Sequence, residues 1–309
     1  TPPNPSSRRR TRSSSSPASP SLGTPTGAQP KLTVQCAGIT KAGLPCSRQV
    51  KALSAFAFLA PDEPVERFCH QHARELLEPS GFYTRPRGQQ AAAEWVSFAQ
   101  WIPPYLSHPT QILLRTTMEA PASVSDSPGH IYAYELRAAG RLEPVALKVG
   151  RAGNVKNRLG EWGRQCGKEV VLRGLWPPRE GTGTLLRGRL RMGDKARCSH
   201  RLERLIHLEL SDISLYSTHL TPEFAAPFPQ PSTPARNAAA AGRPPASPAS
   251  PATAGKTKPV RRPLTPCGEC GKLHREIFTF ERARARGGPA VREWEDVVWP
   301  VIERWGRFV

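Results

Sequence analysis

Residues 221–263 read TPEFAAPFPQPSTPARNAAAAGRPPASPASPATAGKTKPVRRP. Neither a helical nor a strand period runs through them, and their apolar content is too low to offset the entropy of ordering. Structure-forming patterns stand on both sides, so a domain that uses both must close around an interruption of about forty residues. Residues 1–30, TPPNPSSRRRTRSSSSPASPSLGTPTGAQP, have the same character. Together the two stretches are expected to be disordered, and they confine ordered structure to the segments 31–220 and 264–309.

The charge divides along the same lines. The formal net charge is +19, to which residues 1–31 and 221–263 each contribute +5, leaving +9 on the remainder. A basic folded part and basic flanks favour an anionic partner, DNA first and RNA as the alternative. RRRTR (residues 8–12) reads as a nuclear-import or nucleic-acid patch, or as a solvated charge run. No apolar run approaches the roughly 18–20 residues that cross a bilayer, and the first residues lack the apolar segment of a signal peptide. The expected setting is the nucleus, with no membrane association.

Seven Cys, an odd number, lie close to several His. Without a secretion signal, that pattern favours metal sites over disulfides. In 31–84, Cys36, Cys46, Cys69 and His72 form one candidate set, with His70 an alternative fourth ligand. Cys69-x-x-His72 can place two side chains on one ion, and a segment this small gains folding free energy directly from a structural zinc. The second set is Cys267-x-x-Cys270-x3-His274, completed by Cys198, with His200 a competitor. Two structural zinc ions are expected.

Residues 85–125 are expected to be a helical connector, broken at Pro103–Pro104. From 126 the pattern becomes mixed α/β. GHIYAYEL and VALKV alternate as a hairpin, strands 130–136 and 145–149, and a helix starts at Asn154, a plausible N-cap. Its apolar stripe is Val155, Leu159, Trp162 and Cys166. KEVVLRGLW (168–176) reads as a third strand, HRLERLIHLEL (200–210) as a second helix. Val291, Trp294, Val298, Ile302 and Trp305 form the apolar stripe of a terminal helix.

HIY (130–132), KVG (148–150), Arg158 in NVKNRL and Glu203 in RLERLIHLEL resemble, in order and spacing, the GIY-YIG nuclease superfamily. The resemblance is nearest to the branch called the bacteriophage T-five orf-type DNA-binding domain, known also in fungal proteins. It spans 126–220 and 264–309. It implies a small mixed sheet flanked by helices, following a zinc-stabilised N-terminal module. In that family the first-motif Tyr, here Tyr132, positions or deprotonates the attacking water. Lys148 stands where the nucleases carry a second Tyr, and Glu276 resembles the Glu of the branch's last motif.

The chemistry of these side chains is consistent with that resemblance. Arg158 offers a planar, permanently charged donor to phosphate oxygens. Glu203 could hold a Mg²⁺ that retains most of its waters. Arg151, Lys156 and Arg164 would contact the DNA backbone, giving salt-dependent, sequence-tolerant affinity. An ammonium at 148 binds phosphate but acts as a base only with a strongly depressed pKa. The expected function is therefore DNA binding through phosphates. The alternatives are a Mg²⁺-dependent endonuclease with Tyr132, Lys148, Arg158 and Glu203 in catalytic roles, and a zinc-stabilised protein-interaction module.

Overall fold

The alternating runs HIYAYEL and VALKVGRA form the central strands of the molecule, β5 (His130–Leu136) and β6 (Val145–Ala152), paired antiparallel with Tyr132 opposite Gly150 and Tyr134 opposite Lys148. The computed structural model describes residues 33–51, 66–84, 93–136, 144–166, 170–178, 185–186, 189–190, 192–225, 228, 271, 274, 276–282 and 292–309. Within them it is a mixed α/β protein with small antiparallel sheets and helices. The basic tail and nearly all of the Pro-rich stretch lie outside the described residues, as do Cys267 and Cys270.

Ahead of this pair stand β1 (Thr33–Gln35) and β2 (Gln49–Lys51), a two-stranded hairpin, then helix α1 (His70–Leu77). β3 (Gly81–Tyr83) pairs antiparallel with β4 (Trp95–Ser97), and α2 (His108–Glu119) follows. The stretch 90–118 reads as helical on both sides of a break at Pro103–Pro104. Instead its first half holds β4 and a 3₁₀ turn at Phe98–Gln100, and the α-helix forms only after the prolines. Trp95 and Val96, an aromatic and a β-branched residue, suit the strand that pairs with β3.

Beyond β6 come α3 (Val155–Cys166) and β7 (Val170–Trp176), then a short pair, β8 (Leu185–Leu186) and β9 (Arg189–Leu190). α4 (Ser199–Tyr216) is followed by the single turn α5 (Pro222–Ala225), β10 (Ile277–Phe280) and the terminal helix α6 (Trp299–Phe308). The main sheet has the order β10-β6-β5-β7. The strand on the far side of the Pro-rich stretch thus returns to pair with β6, Ile277 opposite Lys148.

The period-two alternation sends two sets of side chains to opposite faces. Ile131, Ala133, Val145, Leu147, Val149, Phe278 and Phe280 form one core with Leu202, Leu205, Ile206 and Ile213 of α4, Leu113 and Leu114 of α2, and Val301, Ile302 and Trp305 of α6. Tyr132, Tyr134, Leu136 and Leu175 face the other way, beneath Val155 and Trp162 of α3.

α4 is buried on nearly every side and carries two carboxylates inward. Glu209 is wholly buried, pairs with Arg304, and accepts hydrogen bonds from Trp305 Nε1 at 2.7 Å and the Tyr105 hydroxyl at 3.3 Å. Asp212 accepts from Thr110 Oγ1 at 2.7 Å and from the Ser107 amide at 3.2 Å. These bonds tie α2, α4 and α6 together with buried charges that have partners, as low-dielectric surroundings require. The turn before α6, Glu293–Val298, is a π-helix, the irregularity falling just ahead of Pro300, which has no N–H to continue an α-helical ladder. No helix among the described residues is long and apolar enough to cross a membrane.

Candidate functional site

Three thiols and an imidazole converge where the β1–β2 hairpin meets the start of α1. The ligand atoms of Cys36, Cys46, Cys69 and His72 all lie within 4.8 Å of one another, and all four side chains are buried. Cys36 N–H donates to the Arg48 carbonyl and Cys46 N–H to the Gly38 carbonyl, which sets the two hairpin cysteines side by side. Cys69 precedes α1 and His72 occupies its first turn, so the helix presents both to the same point.

The geometry fits a tetrahedral ion. His72 Nδ1 stands 3.3 Å from Cys36 Sγ and 3.4 Å from Cys69 Sγ. Zinc–sulfur and zinc–nitrogen bond lengths at tetrahedral angles require about 3.5 Å between such atoms. The surroundings prepare the ligands. His72 Nε2 lies 3.1 Å from the Ile39 carbonyl; donating its proton there leaves the Nδ1 lone pair facing the sulfurs. Cys36 Sγ accepts from the amides of Cys69 and Gly38 at 3.1 and 3.4 Å, and Cys69 Sγ accepts from Arg48 Nη1 at 3.6 Å. Burial pushes the Cys69 thiol up, but the His72 amide, the Arg48 guanidinium and the Gln71 amide outweigh it and bring the thiol down to about 6.

The four residues therefore form a group able to hold a metal ion, with a donor set that suits zinc. Sequence spacing identified all four ligands; it did not identify Arg48 or the Ile39 carbonyl. His70 begins α1 exposed.

The second expected set is only partly visible. Cys198 is buried immediately before α4, and the His274 ring lies 4.7 Å from that of Trp162. His200 is exposed, its amide donating to Asp126 Oδ1 at 2.8 Å. Among the described residues, the Cys36 cluster is the one group of three or more Cys, His or carboxylate ligands gathered for a metal.

On the α3 side of the sheet, Tyr132 and Arg158 come together at the end of β6. Tyr132 is buried with its hydroxyl lying across Gly150: a Cβ there would stand 2.8 Å from the oxygen. Absence of a side chain at 150 is what lets the phenol reach over β6. The Arg158 guanidinium lies close enough to this hydroxyl to donate to it. Burial raises the Tyr132 pKa, the Arg158 contact pulls it back, and the Glu203 and Glu161 carboxylates push it up again. The net direction is up, which makes this phenol a poor base near neutral pH.

Arg158 is positioned by the start of α3, where Asn154 Oδ1 accepts the Asn157 amide at 3.2 Å and caps the helix. Its Nη1 also donates to Glu161 Oε2 at 2.9 Å. Glu203 reaches up from α4 to Arg151, accepting from its amide at 3.1 Å and from Nε at 2.9 Å. Lys156 is exposed two positions before Arg158 on α3, while the Arg164 side chain lies outside the described residues.

Lys148 is not at this surface. It is fully buried, paired with Glu276, and its Nζ sits 3.9 Å from the centre of the Trp162 ring. The sheet alternation directs it toward α3, and the Trp162 indole closes over it, so its ammonium serves the join between β6 and the segment leading into β10. Glu161, Trp162 and Glu276 shape this region, and of these only Glu276 had a sequence motif to point to it.

Residues 144–222 match the family described as Meiotically up-regulated gene 113. That interval runs from β6 through α4 and so includes Arg151, Lys156, Arg158 and Glu203 but not Tyr132 or Glu276. No curated protein and no solved structure is significantly similar to the chain.

Proposed function

We propose that the protein binds DNA, contacting phosphates with the surface formed by Arg158, Arg151 and Lys156 at the α3 end of the main sheet. The domain carrying that surface is read as GIY-YIG-like, and the Cys36–Cys46–Cys69–His72 cluster as a structural zinc site that orders an N-terminal module. The observation that carries the reading is the meeting of Tyr132 and Arg158 at a half-exposed position, with Glu203 holding Arg151 close by. A guanidinium already steered by a phenol and a carboxylate loses little side-chain freedom when it takes a phosphate oxygen. The basic flanks would add sequence-independent attraction and support a nuclear location.

Binding is favoured over cleavage for two reasons. Tyr132 is buried with its pKa raised, and Lys148, at the place of the second family tyrosine, is enclosed by Glu276 and Trp162. Both oxygens of Glu203 already serve Arg151, so a Mg²⁺ there would have to displace that pair.

The test uses the full chain on a labelled 20-base-pair duplex and on supercoiled plasmid with Mg²⁺. Salt-sensitive duplex binding weakened about tenfold or more by Arg158→Ala, without nicking, is the expected result. Nicking abolished by Glu203→Ala would replace the proposal with the endonuclease reading. Absence of duplex binding at physiological salt would leave the interaction-module reading.

A further inference from the structure

The β3–β4 hairpin has one face packed and one face bare. Phe82 and Val96, paired across the two strands, turn inward against the main core, and the Phe82 ring lies 5.5 Å from that of Phe98. Alternation sends the next pair, Tyr83 opposite Trp95, outward. Their rings meet edge-on, with centroids 4.9 Å apart and planes at 64°. Even in contact with each other they remain 66% and 46% exposed. Gly81 forms the floor beneath the indole: a Cβ there would come within 2.8 Å of its six-membered ring. The hairpin backbone therefore lies against the indole, and the two rings form an exposed aromatic corner.

We propose that this corner is a stacking platform for the bases of single-stranded nucleic acid, a contact separate from the duplex-phosphate surface proposed above. Unpaired bases present flat π-faces that stack on Tyr and Trp, whereas a duplex keeps those faces inside its own stack. The chain's net charge of +19 supplies the long-range attraction a polyanion needs. A proline-rich peptide also docks on exposed aromatics, but the proline-rich segments of this chain are themselves basic and would be repelled. DNA and RNA share the stacking chemistry, and the 2′-hydroxyl is what separates them.

The experiment is anisotropy titration of the full chain with labelled dT20, U20 and a 20-base-pair duplex. The variants are Trp95→Ala, Tyr83→Ala, the double alanine and Trp95→Phe, each checked by circular dichroism. Loss of one stacked base weakens binding by roughly tenfold or more. That loss is expected for each alanine variant on dT20 or U20, with duplex affinity within twofold of the parent and partial recovery in Trp95→Phe. A dU20 strand, which differs from U20 only in lacking the 2′-hydroxyl, identifies the sugar preferred. Unchanged single-strand affinity in the double alanine variant, or no single-strand binding by the parent chain, overturns the proposal. Equal loss on duplex and single strand overturns it too, because the hairpin would then belong to a general phosphate surface. Arg158→Ala separates the two readings, since it is expected to weaken the duplex whether or not the aromatic corner binds.

Discussion

Gly150→Ala has a sign that depends on one distance. In open space, replacing a strand glycine by alanine stabilises by roughly 0.5–1 kcal/mol, because the unfolded chain loses freedom. At position 150 the new methyl would stand 2.8 Å from the Tyr132 hydroxyl and 3.0 Å from the ring carbon that bears it. The phenol has little room to retreat. It is 1% exposed and stacked on Tyr134 at 5.8 Å with planes 10° apart. Forcing a methyl into such packing costs about 1–3 kcal/mol. Displacing the hydroxyl also weakens its bond to Arg158, a smaller loss because water can replace it at a half-exposed guanidinium. The expected net result is destabilisation by about 1–2 kcal/mol in urea unfolding. Duplex affinity should fall in the same direction as with Arg158→Ala. In a Tyr132→Phe background the methyl meets no hydroxyl, so a double-mutant cycle should show coupling of about 1 kcal/mol. Stabilisation by Gly150→Ala, or simple additivity with Tyr132→Phe within about 0.5 kcal/mol, would refute the account of how Tyr132 is placed.

Three further outcomes are expected. Cys69→Ser should remove one zinc per chain by elemental analysis and make the 33–84 region protease-sensitive, whereas His70→Ala should leave zinc content unchanged. Arg48→Ala removes one of the donors that bring the Cys69 thiol from 9.0 down to about 6, so protons should compete better for the sulfur and zinc should be released at higher pH; a chelator-dye titration showing an unchanged release pH would refute this. Glu209→Gln leaves Arg304 buried without its counter-charge and should cost about 3–5 kcal/mol; thermal unfolding of Glu209→Gln with Arg304→Met should recover much of that loss.

The central hairpin, α3 and α4 were legible because each has a long apolar period, strand-like in HIYAYEL and helical from Val155 to Trp162. Their ends were less so: β6 runs on to Ala152 and α4 to Tyr216. The four-ligand cluster was legible because Cys and His have few other reasons to recur at such spacings. β4 was not, since among the described residues it pairs with β3 alone, and neither AAAEW nor GFY announces the other. The place of Lys148 was hidden for a similar reason. Alternation fixes which way its side chain leaves the sheet, but what waits there is Trp162 from α3 and Glu276 from beyond the Pro-rich stretch. Local pattern carries no information about such a meeting.

β10 reaches its place on the edge of β6 only after the chain has left α5 at Ala225 and come back at Ile277. The free energy of bringing two distant parts of a chain together grows with the logarithm of the number of residues between them, roughly 0.6 kcal/mol for each doubling. The outer rail of the sheet is thus nearly indifferent to how long its tether is. Pairing between Ile277 and Lys148 therefore tolerates a long separation in sequence at small cost.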